Sequence, residues 1–254
     1  MMIPVTGRYP TRPSARTPIS AIHTSTVRRA AYGLPGPCGD EARVVKFVSG
    51  HVGIVVVDIA GHGGARATFS SAVADEMLAG LVKKRSPAVA LGYGDRALRM
   101  LDIEVPYAVA FAALINPAHR TLVYASAGHD LAFTIDGRGR VCDLRPTAAM
   151  LGIPMTINPC DALAQLHPDS ALVIATDGIA DSRPAGSTEF FGVERAAAAV
   201  RQSFATGYDP AFAVYDAALA HAGGRQRDDA TVVVVHARAA LADEAWRPKL
   251  KHLA

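Results

Sequence analysis

The sequence predicts an α+β fold built on antiparallel sheets, and three observations predict it. Apolar runs come in pairs around turn residues, at Ser49-Gly50, Asn116-Pro117 and Asp136-Gly137, and strands joined by so few residues run antiparallel. Helical periodicity is confined to two blocks, 64–100 and 193–222, rather than following each strand as a doubly wound parallel sheet requires. Half of the 254 residues are hydrophobic and 19% are charged, which supplies a sizeable core and excludes wholesale disorder.

Taken in order, the first 39 residues contain five arginines and no acid. That composition is transit-peptide-like, but Pro4, Pro10, Pro13 and Pro18 interrupt any long amphipathic helix, so a flexible basic arm is expected over 1–20. A single domain then spans 21–240. "ISAIHTSTVRRAA" has strand composition, and "ARVVKFVSGHVGIVVVD" reads as a hairpin. Ala65, Phe69, Val73, Met77 and Leu81 recur at four-residue steps, a helix that Lys83, Lys84 and Arg85 end favourably and Pro87 stops. A second helix follows from Pro87 to Met100, weakened by Gly92 and Gly94. Two hairpins come next, in "YAVAFAALINPAHRTLVYASAGH" and "LAFTIDGRGRVCDL", and then the strand of "SALVIATDG". Helices are expected from Val193 to Phe204 and from Pro210 to Ala222, "DDATVVVVHA" closes the domain as a strand, and 241–254 form a tail.

Composition narrows the function. A net charge of +3 without a basic stripe gives no footprint for nucleic acid, and no apolar run approaches the roughly 20 residues of a membrane span. Cys38, Cys142 and Cys160 are scattered and odd in number, which argues against a disulfide framework or structural zinc and fits a reducing cytoplasm.

The stretch "VVVDIAGHGGARA" carries the chemistry. A buried strand delivers Asp58 to a glycine-rich turn, either to cradle a phosphate with backbone N–H groups or to hold a metal with the carboxylate. Gly61 and Gly63 do not complete GxGxxG, because Arg66 occupies the third glycine position, and no GK[ST] follows. With the hairpin order, this excludes the phosphate cradle. Asp40, Asp58, Asp177 and Asp228-Asp229 all stand where an apolar strand begins or ends. Singly, each is an ordinary turn or cap residue. Jointly, buried carboxylates need a compensating charge, and an all-oxygen set selects magnesium or manganese.

The pattern resembles the SpoIIE-type serine phosphatases (the SpoIIE, RsbU and RsbX group), a bacterial branch of the type 2C metal-dependent protein phosphatases. "VVVDIAGHGGARA" is similar to their D-[VI]-[SA]-G-H-G motif and "CGDEARV" to their GGD or CGD motif. "LVYASAGHDLAF" is similar to NAGH, "LVIATDGIADSR" to TDG-[ILV]-x-[DE], and "RDDATVVVV" to the closing DD-x-T strand. The resemblance implies a four-layer α-β-β-α sandwich with two central antiparallel sheets and two divalent cations, Mn2+ or Mg2+, at one end. It implies Asp58 bridging both ions, the Ile59 carbonyl and Asp40 on one, Asp177 and Asp228 on the other, and Asp229 in support. The expected reaction is in-line attack of the bridging hydroxide on phosphoserine or phosphothreonine, without a phosphoenzyme. Gly61, Gly63 and Gly64 would let the backbone turn under the ions. The implied partner is a phosphorylated anti-sigma-factor antagonist in partner switching or stress response, and the layout resembles RsbX. The alternative is a catalytically silent module that binds a signalling partner.

Some positions depart from the pattern. Arg43 stands where a second acid is usual, and a solvent-facing arginine is expected there. Ser126 replaces the asparagine of NAGH. His62 and His129 invite a role as leaving-group acid, with loop packing the default for both. Asp181 is read as a capping or solvated acid that could assist a third ion. Phe190-Phe191-Gly192 is read as a strand or helix entry packed on the core.

Overall fold

The structure, a computed structural model, describes residues 19–31, 37–60, 65–101, 107–129 and 131–239. Residues 1–18 of the expected arm, the tail 241–254 and the turn from Gly61 to Gly64, with His62, lie outside the described residues.

The chain order is β1 (Ile19–Arg29), β2 (Glu41–Lys46), β3 (Val52–Ile59), α1 (Ala65–Lys84), α2 (Pro87–Arg99), β4 (Ala108–Asn116), β5 (Thr121–Ala127), β6 (Leu131–Ile135), β7 (Val141–Asp143), β8 (Ala162–Gln165), β9 (Ser170–Ala175), α3 (Asp177–Ala180), α4 (Gly192–Thr206), α5 (Pro210–His221) and β10 (Ala230–Ala239). One sheet has the order β1-β10-β9-β6-β7 and the other β2-β3-β4-β5-β8. Every pairing is antiparallel.

The unbroken valine and isoleucine runs have a simple cause. Side chains alternate across a strand, and here both faces of each central strand are covered. In β3, Val55 and Val57 face α1 and α2, while Ile54 and Val56 face the other sheet. In β10, Val232 and Val234 face α4 and α5, while Val233 and Val235 meet Ile54, Phe111 and Ile115 between the sheets. The result is four layers, α-β-β-α, with three apolar seams.

The helices follow local rules. Ser86 caps α2, its hydroxyl accepting from Val89 N at 3.2 Å, with Pro87 in the first turn. The two glycines stand within an unbroken α2, and at Gly94 an added Cβ would stand 2.6 Å from Met77 Cγ on α1. The glycine lets the two helices approach. Asp209 caps α5, accepting from Ala211 N at 3.0 Å and Phe212 N at 3.1 Å. Phe191 is buried at the start of α4, while its neighbour Phe190 is exposed.

Candidate functional site

Register brings the first two acids together. Glu41 pairs with Val57, so Asp40, one step before β2, lies beside Asp58 near the end of β3. In the other sheet Val232 pairs with Ala175, which puts Asp228 and Asp229, ahead of β10, beside Thr176 and Asp177, just past β9. A hydrogen bond joins the sheets at this end: buried Thr176 Oγ1 donates to Asp40 Oδ2 at 2.6 Å and accepts from Thr231 N at 2.9 Å.

The electrostatics show the crowding. Asp58 is 8% exposed and Asp40 1%. Burial, then the Asp40 and Asp177 charges, holds the Asp58 carboxyl well above the ordinary carboxylate range, against a smaller opposing pull from Arg66. Burial also raises Asp40, with the Thr176 hydrogen bond opposing. Asp177, more open to solvent, is raised by burial and by the Asp228 and Asp181 charges, with the neighbouring Asp58 carboxyl opposing. All four sequence-expected acids therefore share one electrostatic neighbourhood. Asp229, whose charge also raises Asp40, is held by backbone amides: Oδ1 accepts from Ala31 N at 2.8 Å and Oδ2 from Gly39 N, tying the chain ahead of Asp40 to the chain ahead of β10. Ile59 ends β3 in register with Ala108.

Among the described residues no three acidic, histidine or cysteine side chains close around a single ion position. The chemistry of the acids nevertheless fits hard divalent ions, which take carboxylate, carbonyl and water oxygens together. One guanidinium is already present. Arg66 Nη2 lies 3.6 Å from Asp58 Oδ1, and its buried Nε has no hydrogen-bond partner. From the sequence Arg66 is only the residue that breaks the glycine motif, and nothing there marks it as a neighbour of Asp58.

Arg43, the arginine that replaces a motif acid, is only partly open to solvent, its side chain 28% exposed. It pairs with Glu41 and with Asp75 of α1 (3.2 Å), and donates to Ser71 Oγ at 2.9 Å. Arg28 completes the network on Glu41 at 2.7 Å. A buried glutamate needs such partners, so the guanidinium is drawn inward. Ser126 supplies a local bond of its own, Oγ donating to the His129 carbonyl at 3.2 Å. His129 is 1% exposed, tilted against Phe111, with neither ring nitrogen hydrogen-bonded. Asp181 caps the single turn of α3 through its backbone N–H.

Thr176 and Gly178 were also passed over. At Gly178 an added Cβ would stand 1.9 Å from the Asp229 carbonyl oxygen, so the turn carrying Asp177 packs directly on the turn carrying Asp228. Beside it opens a cleft of about 200 Å³ lined by Asp177, Asp181, Arg183, Arg225, Arg227 and Asp228.

Comparison with known proteins agrees with this fold. Residues 49–238 match the family model of Stage II sporulation protein E (SpoIIE). The chain belongs to that family, and its fold is the one seen in PP2C phosphatase domains. It is similar to the SiaA-PP2C domain of Pseudomonas aeruginosa, with 23% identity and a TM-score of 0.69 over 84% of this chain and 85% of that one. It is also similar to RsbX solved in complex with magnesium, with 18% identity and a TM-score of 0.60 over 85% of this chain and 94% of that one. Protein IcfG of Synechocystis sp. is 26% identical over 157 residues, which is 61% of this chain. The match spans only 23% of that relative's length. Among the described residues no helix is long and apolar enough to cross a membrane.

Proposed function

We propose that this chain hydrolyses phosphoserine or phosphothreonine on a regulatory protein, using two divalent cations, Mn2+ or Mg2+. The observation that carries the reading is the meeting of Asp40, Asp58, Asp177 and Asp228 at one end of two sheets, in a member of the SpoIIE family. The magnesium in RsbX supports the choice of cation. When bound, such ions supply Lewis acidity that activates water and neutralises phosphoryl charge.

The chain's own residues do the holding. Asp58 lies near the acids of both sheets and would hold both ions, the Ile59 carbonyl and Asp40 would help to hold one, and Asp177 and Asp228 the other. Thr176 fixes the Asp40 carboxylate by donating to it. Asp229 binds two backbone amides and so sets the spacing of the two turns. Gly61 and His62 stay as proposed contributors from the motif alone, Gly61 to the turn and His62 to protonation of the leaving oxygen. The five family motifs support a phosphorylated anti-sigma-antagonist-like domain as partner.

The test is manganese-dependent release of phosphate from an aryl phosphate. Turnover is expected in the wild type and loss of at least a hundredfold in Asp177→Asn, as for removal of a group that stabilises transition-state charge. Binding of the phosphoprotein without turnover under any divalent cation would instead identify a silent recognition module.

A further inference from the structure

We propose that Arg183, Arg225 and Arg227 form an anion subsite that selects substrates carrying an acidic side chain next to the phosphorylated residue. This rests on the phosphatase reading, since the cleft they line shares Asp177 and Asp228 with the candidate centre.

The loop after α5 is built to present these groups. Gln226 points inward and is fully engaged: Nε2 donates to the carbonyls of Arg29 (2.8 Å), Ala30 (3.1 Å) and Asp228 (2.8 Å), and Oε1 accepts from Tyr215 Oη at 2.7 Å. Its neighbours on either side, Arg225 and Arg227, are exposed and line the cleft. Gly223 and Gly224, at φ +68° and +79°, let the chain leave α5 in a left-handed turn that few other residues tolerate. From the opposite side comes Arg183. Its Nη1 donates to the Asp181 carbonyl at 3.3 Å and its guanidinium lies 4.7 Å from the centre of the Phe190 ring.

Among the described residues, none of the three guanidinium groups pairs with a carboxylate. Three acids share the cleft with them: Asp177 and Asp228 are expected to face the cations, which leaves three guanidinium groups against the single carboxylate of Asp181. A volume of about 200 Å³ is too small for a nucleotide or a drug-sized ligand. It suits one side chain. A guanidinium binds a carboxylate through paired N–H donors, which fixes orientation as well as attraction. The phosphoryl group would lie over the aspartates while the flanking acid reaches the arginines.

The test compares two fluorescent phosphoserine peptides that differ only in flanking Glu or Gln, with manganese supplied. Two exposed charge pairs predict roughly a fivefold higher kcat/KM for the Glu peptide at low salt, a preference that shrinks as ionic strength rises. In Arg225→Gln/Arg227→Gln the ratio should fall towards one, and in Arg225→Glu/Arg227→Glu a Lys-flanked peptide should become the better substrate. Equal use of the Glu and Gln peptides by the wild type overturns the proposal, as does a preference that survives in both double variants. Fluorescence anisotropy on the same peptides reads the affinity ratio without turnover. Loss of hydrolysis with that ratio intact therefore counts against the phosphatase reading and not against the subsite.

Discussion

At Gly178 a side chain has nowhere to go, because its Cβ would overlap the Asp229 carbonyl, which belongs to a backbone turn and not to a flexible side chain. Gly178→Ala must push apart the turns carrying Asp177 and Asp228. We expect a loss of about 1–3 kcal/mol, the usual range for overpacking, seen as a lowered midpoint in urea unfolding, together with weaker manganese binding by calorimetry. Unchanged affinity would mean that the two turns do not need their present spacing. The four acids were legible in the sequence because each ends or begins an apolar run. Their surroundings were not. Thr176 matters through a contact across 136 residues of chain, and Arg66 through its distance from Asp58. Nothing in local composition separates that arginine from a solvent-facing one. Arg43 failed the other way: the buried Glu41 that draws it in is unremarkable as a sequence letter.

Among the elements, the long ones could be read and the short ones could not. The periodic α1 and the doubly buried β3, β9 and β10 announce themselves, since both faces of a covered strand must be apolar. The four-residue edge strand β8 carries only two inward alanines, Ala162 and Ala164, and the single turn α3 has no period at all. α2 is the instructive case: its glycines argue against a helix locally, yet Gly94 serves the contact with Met77. Caps belong to this scale too. Asp209 accepts from two first-turn amides of α5 and from Ser25 Oγ of β1, so it pins that helix to the sheet beneath it. Asp209→Ala should lower stability by about 1–2 kcal/mol, the upper part of the capping range, while Asp209→Asn, which keeps an acceptor oxygen, should lose less. Equal losses in urea unfolding would show that the charge matters and the cap does not.

For the whole molecule, acid tests how the layers are sealed. His129 sits in the interior against Phe111, and His236 of β10 stacks on Phe204 of α4 at 4.1 Å. Burial holds both rings neutral, with pKa lowered to about 4 against an ordinary value of 6.5. Below pH 6.5 the unfolded chain takes up protons that the fold refuses, so these groups remove stability as pH falls from 6.5 to 4 and have no effect above that window. For the fully buried His129 the loss reaches about 3 kcal/mol by pH 4, at roughly 1.4 kcal/mol per pH unit. The carboxylates of the candidate centre act in the opposite sense. Their raised values mean that the metal-free fold binds protons more readily than the unfolded chain, so acid stabilises them. The wild-type profile alone mixes the two effects, but His129→Phe removes one proton site and keeps a ring against Phe111. The urea midpoint of this variant should fall less than that of the wild type between pH 6.5 and 4.5, and the two should differ by a constant above pH 7. Parallel profiles throughout would mean that His129 meets water on the way to protonation, and that the inner seam is open at that end of the sandwich.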